Sequence, residues 1–426
     1  MAQRNKLKIF IFSLAVSILG ILIIEVASFF ALSLAKRQWF DLASIHDTQQ
    51  QVITDPASYD PRPGFARFDN VHPYIGYVLN NPTKEDQYGF RNSVNPIQKR
   101  SPDKVIIAVT GGSVAMQTFD YAMDSIVKIL KDIPAFANKT FVTIRLAAGG
   151  YKQPQQLMIL SYLLSLGGEF DIFINIDGFN EIVLPVVDNI PKGTFVAFPS
   201  KWALRFNNFS DPELLRLIGI STLIRDQRRR AAFFLSNAML QYSFSAALIW
   251  KSLDRYFLLL LSHYDSKILD YPLAKTTFAM TGPVRKYETE TELYQHLSSI
   301  WEQSSLLLND LCKANNIEYF HFLQPNQYFP GSKTFTKRER KQAFKENGLG
   351  RKPVTAGYPF LIAGGTELAN KGVNFYDLTM LFANEKDQIY SDACCHYNQK
   401  GYDIFASAAG EIIYSYFNKK KVFNRN

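Results

Sequence analysis

A serine that follows two glycines is the first feature of this sequence with the means to do chemistry. The segment Thr110-Gly111-Gly112-Ser113 ends an apolar run at residues 104–110. A nucleophilic serine needs an exposed hydroxyl at a strand-to-helix turn, and small neighbours let a substrate carbonyl approach while leaving backbone N–H groups free for an oxyanion. Across proteins this pattern more often marks a glycine turn with a helix-capping serine, so alone it does not define a site.

Two further turns follow the next two apolar runs of the chain. Gly150 ends a glycine pair after residues 140–146, and Asn180 lies shortly after residues 170–176. A glycine N–H and an asparagine side-chain amide can both donate to an oxyanion that develops on a bound carbonyl. Taken singly, each is better explained as a tight turn or a helix cap, so they indicate a site only if they converge.

The candidate general base lies near the end of the chain. His396 is preceded by Asp392, four residues earlier, and a carboxylate close to an imidazole fits a general base with its orienting group. A lone histidine is more often structural. That interpretation is given to the other five histidines: His46, His72, His263, His296 and His321.

The apolar runs indicate how these residues are positioned. Runs at 104–110, 140–146, 170–176 and 317–323 have the β-branched and aromatic composition of fully buried strands, and 373–378 predicts a short fifth strand. Helical patterns separate the runs, at about 121–130, 153–166, 290–315 and 400–416. This alternation predicts an α/β fold, a three-layer parallel sheet flanked by helices, with ligand sites at the carboxyl ends of the strands.

The order of the candidate residues resembles that of the SGNH (GDSL-like) hydrolase superfamily, which is named after Ser, Gly, Asn and His. Ser113, Gly150, Asn180 and His396 match its four blocks, while Gly112 stands where the family usually has aspartate. The resemblance implies an SGNH, flavodoxin-like fold and a serine ester hydrolase. It also implies Ser113 as nucleophile, His396 as base, and an oxyanion hole formed by Ser113, Gly150 and Asn180.

The resemblance covers about residues 104–184 and 300–416, and it departs from the family at the carboxylate. The family's acid usually lies three residues before the histidine, a position held here by Ala393, whereas Asp392 lies four before. Two alternatives stay open. In the first, the turn accommodates the extra residue and Asp392 orients His396. In the second, a backbone carbonyl orients His396 and the catalytic group is a Ser-His dyad.

The N-terminus predicts a membrane anchor. Residues 9–35 are almost continuously apolar, long enough to cross a bilayer of roughly 30 Å. Basic residues flank both ends, so the positive-inside rule favours a cytoplasmic N-terminus only moderately. We expect an uncleaved single-pass anchor with an extracytoplasmic domain, periplasmic in a Gram-negative cell. A cleaved signal peptide is the alternative, although no A-x-A-like site closes the run. Glu25 would need a partner or a proton within the span.

The chain divides on these patterns into seven expected segments. They are a cytoplasmic tail (1–8), the anchor (9–35), an irregular lead-in (36–100), a first half-domain (101–184), a helical insertion or cap (185–300), a second half-domain (301–417) and a basic tail (418–426). Within the insertion, helices are expected at about 214–237 and 242–261. Residues 233–250 are apolar enough to suggest a second span, but Gln241 and the charges from Lys251 onward favour a cap, with contact to the membrane surface as an alternative.

Charge and cysteine content exclude some classes of function. The net charge is +9, but the basic residues are spread out and no zinc-finger, RNP or basic-helix signature accompanies them, so no nucleic-acid partner is expected. An extracytoplasmic Cys312 could pair with Cys394 or Cys395. The cysteines lack matching histidine spacing for zinc, and no cofactor is indicated, so we expect neither metal nor cofactor.

The anchor and the Tyr-Gly-Phe-Arg-Asn segment at 88–92 are similar to the membrane-tethered bacterial branch of the superfamily. Some of its members act on O-acetyl groups of cell-surface polysaccharides. The resemblance therefore implies an esterase for O-acyl, above all acetyl, groups of a cell-surface glycan or lipid. The alternatives are an O-acetyltransferase that works with a partner membrane protein of a polysaccharide modification system, and an inactive glycan-binding module.

Overall fold

The computed structural model describes residues 2–36, 39–54, 69–79, 88–206, 212–237, 239–271, 278–283 and 285–420. The chain forms two compact units, each built from two separate stretches. The first comprises Met1–Phe68 and Asn208–Ala274, and the second comprises Asp69–Asn207 and Lys275–Asn426.

The described residues contain seven strands in two sheets. The strands are β1 (Asp69–His72), β2 (Gly76–Leu79), β3 (Lys104–Gly111), β4 (Thr140–Arg145), β5 (Ile172–Asp177), β6 (Glu318–Leu323) and β7 (Asn374–Asp377). The first two form an antiparallel hairpin. The other five form one sheet in the order β4-β3-β5-β6-β7, and every neighbouring pair is parallel. The predicted α/β fold with a parallel sheet is confirmed.

The described helices are distributed over both units. They are α1 (Ala2–Lys36), α2 (Ala43–Thr54), α3 (Ser113–Leu130), α4 (Gln155–Ser165), α5 (Phe179–Leu184), α6 (Trp202–Phe206), α7 (Pro212–Leu235), α8 (Phe244–Leu269), α9 (Phe278–Thr281), α10 (Glu290–Ala314), α11 (Lys337–Ala343), α12 (Arg351–Asn370) and α13 (Gln399–Lys420).

Helices cover both faces of the five-stranded sheet. Successive side chains of a strand point to opposite faces, and two neighbours on β6 reveal what lies on each. The Phe320 ring lies 5.1 Å from the Tyr416 ring of α13, while the His321 ring lies 4.8 Å from Trp301 of α10. Helix α3 packs along α13, and α12 packs along α10. The second unit is therefore a three-layer sandwich, as expected.

The carboxyl ends of the central strands lie at one edge of the sheet. In the strand pairing, Gly111 is opposite Ile176, and Asp177 is opposite Leu323. Gly111 has φ +134°, and an added Cβ would lie 2.0 Å from the Ile176 carbonyl oxygen, so only glycine fits where β3 leaves the sheet. The turn that follows brings Ser113 to this edge.

The lead-in is more ordered than predicted, because its few apolar and amide side chains find distant partners. Residues 36–100 contain α2 and the β1–β2 hairpin. Tyr77 is fully buried and donates a hydrogen bond to the Gly149 carbonyl at 2.8 Å. Asn92 accepts from the Arg145 N–H at 2.7 Å and donates to its carbonyl at 3.1 Å, where β4 ends. The lead-in thus holds the edge strand and the glycine turn.

The first unit contains the apolar helix and the longest pair of helices in the expected insertion. Helix α1 includes the segment Lys8–Ala35, which is long and apolar enough to cross a membrane. Helices α7 and α8 pack on each other and are joined by ion pairs of 2.7 Å, Arg225 with Asp265 and Arg228 with Asp254. Only 208–274 of the expected 185–300 insertion groups with the anchor, because α10 packs under the sheet of the second unit.

Candidate active site

The structure brings together a serine and a histidine that are 283 positions apart in the chain. Ser113 is the first residue of α3, and its Oγ lies 2.7 Å from Nε2 of His396. The first N–H groups of a helix have no intrahelical acceptor and carry partial positive charge. Since Gly112 supplies no side-chain cap, the positive end of this 18-residue helix is directed at the site.

The structure also brings Asp392 to the histidine. Oδ2 of Asp392 lies 2.5 Å from Nδ1 of His396, so the carboxylate, and not a backbone carbonyl, contacts the ring. Oδ1 accepts from the N–H groups of Cys394, Cys395 and His396 at 2.9, 3.2 and 3.3 Å. This turn around the carboxylate accommodates the four-residue spacing that the sequence left open.

The surroundings shift both pKa values in the direction that suits an acid-base pair. Burial lowers the pKa of His396, but the hydrogen bond and charge of Asp392 outweigh it, and the pKa lies above the ordinary 6.5. Burial acts to raise the pKa of Asp392, but its hydrogen bond to His396 and the imidazole charge keep it below 3.8. An ionised carboxylate beside an imidazole of raised pKa is the arrangement that a general base with its orienting group requires.

Asn180 lies against the residue that precedes the serine. Its Nδ2 donates to the Tyr151 carbonyl at 2.8 Å, which leaves the second amide hydrogen for another acceptor. A Cβ built on Gly112 would lie 2.1 Å from that nitrogen. Gly112 has an ordinary φ of −81°, so space and not backbone conformation requires glycine here. Any larger residue at position 112 would therefore displace the Asn180 amide.

Gly150 lies in a turn that borders Gly112, since a Cβ on Gly112 would also lie 3.3 Å from the carbonyl oxygen of the next residue, Tyr151. It has φ +82°, and an added Cβ would lie 3.0 Å from both Ser200 Oγ and Tyr77 OH. Tyr77 also holds the preceding Gly149 carbonyl, so the turn is fixed from the hairpin side. Among the hydrogen bonds of the described residues, none uses the Gly150 N–H, which leaves it for a ligand.

A buried carboxylate links the Gly150 turn to the Asn180 turn. Glu181 accepts from the Gly178 N–H at 2.7 Å and from the Gln153 N–H at 3.2 Å. Burial, with a contribution from the charge of Asp177, raises the pKa of Glu181 to about 8. Burial also lowers the pKa of the neighbouring Lys152 to about 7. The two turns that carry the candidate oxyanion donors are therefore tied together behind the site.

The loop that carries His396 is supported by residues that the sequence did not reveal. Three consecutive carbonyls at 392–394 accept from the side chains of Gln327, Tyr328 and Asn326, at 3.0, 2.8 and 3.2 Å. These residues follow β6 directly, so the fourth strand end also contributes to the site. In the sequence, these residues are notable only for following a buried strand, and that position does not show that they contact the histidine loop.

A buried ion pair fixes the start of the same loop. Glu339 Oε1 accepts from the N–H groups of Ile389 and Tyr390, both at 2.8 Å, and Oε2 lies 3.4 Å from Nζ of Lys333. Both charged side chains are fully buried. Glu339 lies in the basic helix α11, and nothing in the sequence KRERKQA distinguishes it from its exposed neighbours.

The three cysteines are free thiols, so the pairing of Cys312 that the sequence allowed is not formed. The sulfur atoms of Cys394 and Cys395 lie 3.2 Å apart beside the histidine. Within the described residues, Cys394, Cys395 and His396 offer ligand atoms within 4.8 Å of one another. Both ring nitrogens of His396 already contact Ser113 and Asp392, so a metal ion held there would displace one of these contacts.

No protein-family model matches the chain, and no curated protein matches it either. The interpretation of the site therefore depends on the geometry described above and on the order of its residues in the chain.

Proposed function

We propose that this chain is a membrane-tethered serine ester hydrolase of the SGNH type. Ser113 is the nucleophile, His396 the general base, and Asp392 the group that orients it. One observation carries the proposal, the continuous hydrogen-bonded chain from Ser113 Oγ through both ring nitrogens to the carboxylate, with contacts of 2.7 and 2.5 Å. It lies at the carboxyl edge of a parallel sheet, where such folds bind their ligands.

The mechanism follows from the positions of these atoms. Nε2 of His396 takes the proton of Ser113 as Oγ attacks the ester carbonyl carbon. The Ser113 N–H, the Gly150 N–H and the Asn180 amide donate to the oxyanion that forms. As the carbonyl re-forms, the alcohol leaves with the proton from Nε2, and the acyl group stays on Ser113. Water, deprotonated by the same nitrogen, then releases the acid and restores the serine.

The substrate is an O-acyl ester, above all an acetyl ester, of a cell-surface glycan or lipid. The apolar segment Lys8–Ala35 supports this choice, because an uncleaved anchor with a cytoplasmic N-terminus holds the esterase on the extracytoplasmic side of the membrane. The exposure of the site supports it as well. The His396 side chain is 21% exposed and that of Asp392 43%, so an acyl group on a bulky alcohol can reach Ser113 without complete burial.

Hydrolysis of a small acetyl ester by the full-length protein in detergent tests the proposal. Ser113→Ala should reduce kcat/KM by at least about 10³-fold, since removing the nucleophile of a triad leaves only the residual effect of binding and the oxyanion hole. Ser165→Ala, which changes an exposed serine at the end of α4, should leave the rate unchanged. Full activity in Ser113→Ala would rule out the proposed function. Products of an acetylated oligosaccharide, with and without a second sugar acceptor, distinguish hydrolysis from acetyl transfer.

A further inference from the structure

The α7–α8 pair carries a long segment without charge in the first unit. The 20 residues from 231 to 250 lie between Arg230 and Lys251 and include no acidic or basic side chain. Helix α7 ends and α8 begins within this segment. Four of its large side chains are 65–86% exposed, namely Phe233, Phe234, Met239 and Tyr242. Such a concentration of exposed apolar side chains at one end of a helix pair indicates a surface that is not in water.

Glu25 of the apolar helix α1 binds the start of α8. Its Oε1 accepts from the hydroxyls of Ser243 and Ser245 at 2.7 and 2.5 Å, and its Oε2 accepts from the Phe244 N–H at 2.6 Å. The carboxylate therefore caps the positive end of a 26-residue helix. A carboxylate within a membrane span needs such partners, and α8 supplies them.

These contacts fix the depth of the start of α8 relative to the apolar segment. Glu25 lies ten residues before Ala35, where that segment ends. At the rise of an α-helix this is about 15 Å along the axis, well inside a hydrocarbon core of roughly 30 Å. Because Ser243 and Phe244 contact the Glu25 carboxylate directly, the start of α8 lies at the same level.

Helices α1 and α8 run in the same direction away from this level. The rings of Phe29 and Phe244 are 5.0 Å apart, and farther along, Nζ of Lys251 lies 5.9 Å from the ring of Phe40. Lys251 is the first charged residue of α8, and Phe40 follows the end of α1. The uncharged part of α8 therefore spans the same depth as the last apolar part of α1.

Among the described residues of the connection between α7 and α8, four backbone N–H groups find acceptors within the connection itself, which lowers the cost of placing a turn in hydrocarbon. Oδ1 of Asn237 accepts from the N–H groups of Met239 and Leu240 at 3.1 and 3.0 Å. The N–H of Gln241 donates to the Asn237 carbonyl, and that of Ser243 to the Leu240 carbonyl, both at 3.0 Å. The Asn237 side chain and two carbonyls of the turn thus accept from N–H groups of the same turn.

We infer that residues 231–250 form a re-entrant helical hairpin immersed in the outer leaflet, with lipid acyl chains as its partner. The inference rests on the proposed membrane anchor, to which Glu25 fastens the hairpin. Charged residues flank the uncharged segment at both ends, so the hairpin enters and leaves the bilayer on the same side. The Arg228–Asp254 ion pair lies at the level of the lipid headgroups, with Arg228 three residues before the uncharged segment and Asp254 four residues after it.

Photocross-linking in the full-length protein, reconstituted into phosphatidylcholine vesicles, tests this depth. The photoreactive residue p-benzoylphenylalanine replaces Met239 in the hairpin, Leu19 in the anchor, or Tyr256, which is 56% exposed on α8 beyond Lys251. Mass spectrometry then identifies adducts with deuterated acyl chains. Positions 239 and 19 should both give acyl-chain adducts, and position 256 should give none.

The three positions separate failure of the hairpin from failure of the anchor. Adducts at 19 without adducts at 239 would overturn the inference while leaving the anchor intact. Absence of adducts at both 19 and 239 would overturn the anchor and the hairpin together. Acyl-chain adducts at 256 would contradict the boundary at Lys251.

Substitution of Glu25 tests the tie between anchor and hairpin. Glu25→Leu removes the carboxylate that accepts from the hydroxyls of Ser243 and Ser245 and from the Phe244 N–H, so adducts at 239 should fall severalfold while those at 19 stay unchanged. Glu25→Gln keeps one acceptor oxygen and should retain an intermediate yield. Equal adduct yields at 239 in the wild type and in Glu25→Leu would show that Glu25 does not hold the hairpin in the membrane.

Discussion

The two sides of the candidate active site are held in different ways. Ser113 is positioned by the turn that joins β3 to α3, in which a side chain on Gly111 or Gly112 would collide with the Ile176 carbonyl or the Asn180 amide. The loop that carries His396 follows no strand directly, and besides the turn around Asp392 it depends on side chains more than fifty positions away, among them Tyr328 and Glu339. A nucleophile turn of this kind is visible in a sequence, whereas the support of the base is visible only in the folded chain.

The largest effect is expected where the carboxylate meets the imidazole. Asp392→Asn should lower kcat by about 10⁴-fold, because the ring loses the group that holds its tautomer and stabilises its charge. The same change should move the acidic limb of the pH–rate profile to lower pH, since Asp392 is what raises the pKa of His396 while burial alone lowers it. Kinetics on an acetyl ester across pH 5–9 measure both.

Asp387→Asn is the matched control for this change, because Asp387 is 72% exposed and its ion pair, with Lys400 at 2.6 Å, lies at the surface. It should leave the rate and the pH profile unchanged. An Asp392→Asn profile identical to the wild type would mean that the 2.5 Å contact has no part in catalysis.

The next largest effect is expected on the nucleophile side. In Gly112→Ala the added Cβ would lie 2.1 Å from Asn180 Nδ2, so the amide must move away from the oxyanion position. Loss of one oxyanion donor typically costs about 10²–10³-fold in kcat. Gly149→Ala is the matched control, because a Cβ there meets no atom within 4 Å. Equal loss of kcat in both variants would show that the effect does not pass through Asn180.

The support of the histidine loop should appear first in stability. Glu339→Gln leaves the fully buried ammonium of Lys333 without its carboxylate, and breaking such a pair costs about 3–5 kcal/mol. Chemical denaturation of the full-length protein measures the free energy of unfolding. Glu346→Gln removes a carboxylate that is 59% exposed and should cost less than about 1 kcal/mol. If the free energies of unfolding of the two variants differ by less than about 1 kcal/mol, the buried pair does not stabilise the histidine loop as proposed.

The smallest effect is expected from a single hydroxyl. Tyr328→Phe deletes the 2.8 Å hydrogen bond to the Ala393 carbonyl and leaves the ring packing intact. A net loss of about 0.5–1.5 kcal/mol lowers the equilibrium constant for ordering of the loop by a few-fold to roughly tenfold. The rate of acetyl ester hydrolysis should fall by no more than this factor, with KM little changed. A larger fall in stability than in kcat would assign Tyr328 to the core and not to the loop.

The sheet was predictable chiefly because its three central strands, β3, β5 and β6, are buried almost throughout and are therefore largely apolar. All five predicted runs became strands within about two residues of their expected ends. Helix α12 was not predicted, since Pro359 and several glycines weaken its pattern. Two of these glycines are explained only by packing, because a Cβ on Gly364 would meet Glu302 and one on Gly365 would meet Phe375.

The site was predictable to the extent that its residues follow strands. The turns at Ser113, Gly150 and Asn180 each come after a buried run, and the parallel sheet brings those ends together. The spacing of Asp392 could not be decided from the sequence, because it depends on a turn in which the carboxylate accepts three N–H groups. The partner of Glu25 was equally hidden, since Ser243 lies 218 positions away.

Covalent trapping of the nucleophile tests the central claim most directly. The full-length protein is treated with a fluorophosphonate, and the modified residue is identified by mass spectrometry. A single adduct on Ser113, formed by the wild type and lost in His396→Ala, is the result that a hydroxyl activated by the imidazole 2.7 Å away predicts. Equal labelling in His396→Ala, or no labelling of Ser113 in a folded wild-type protein, would contradict it.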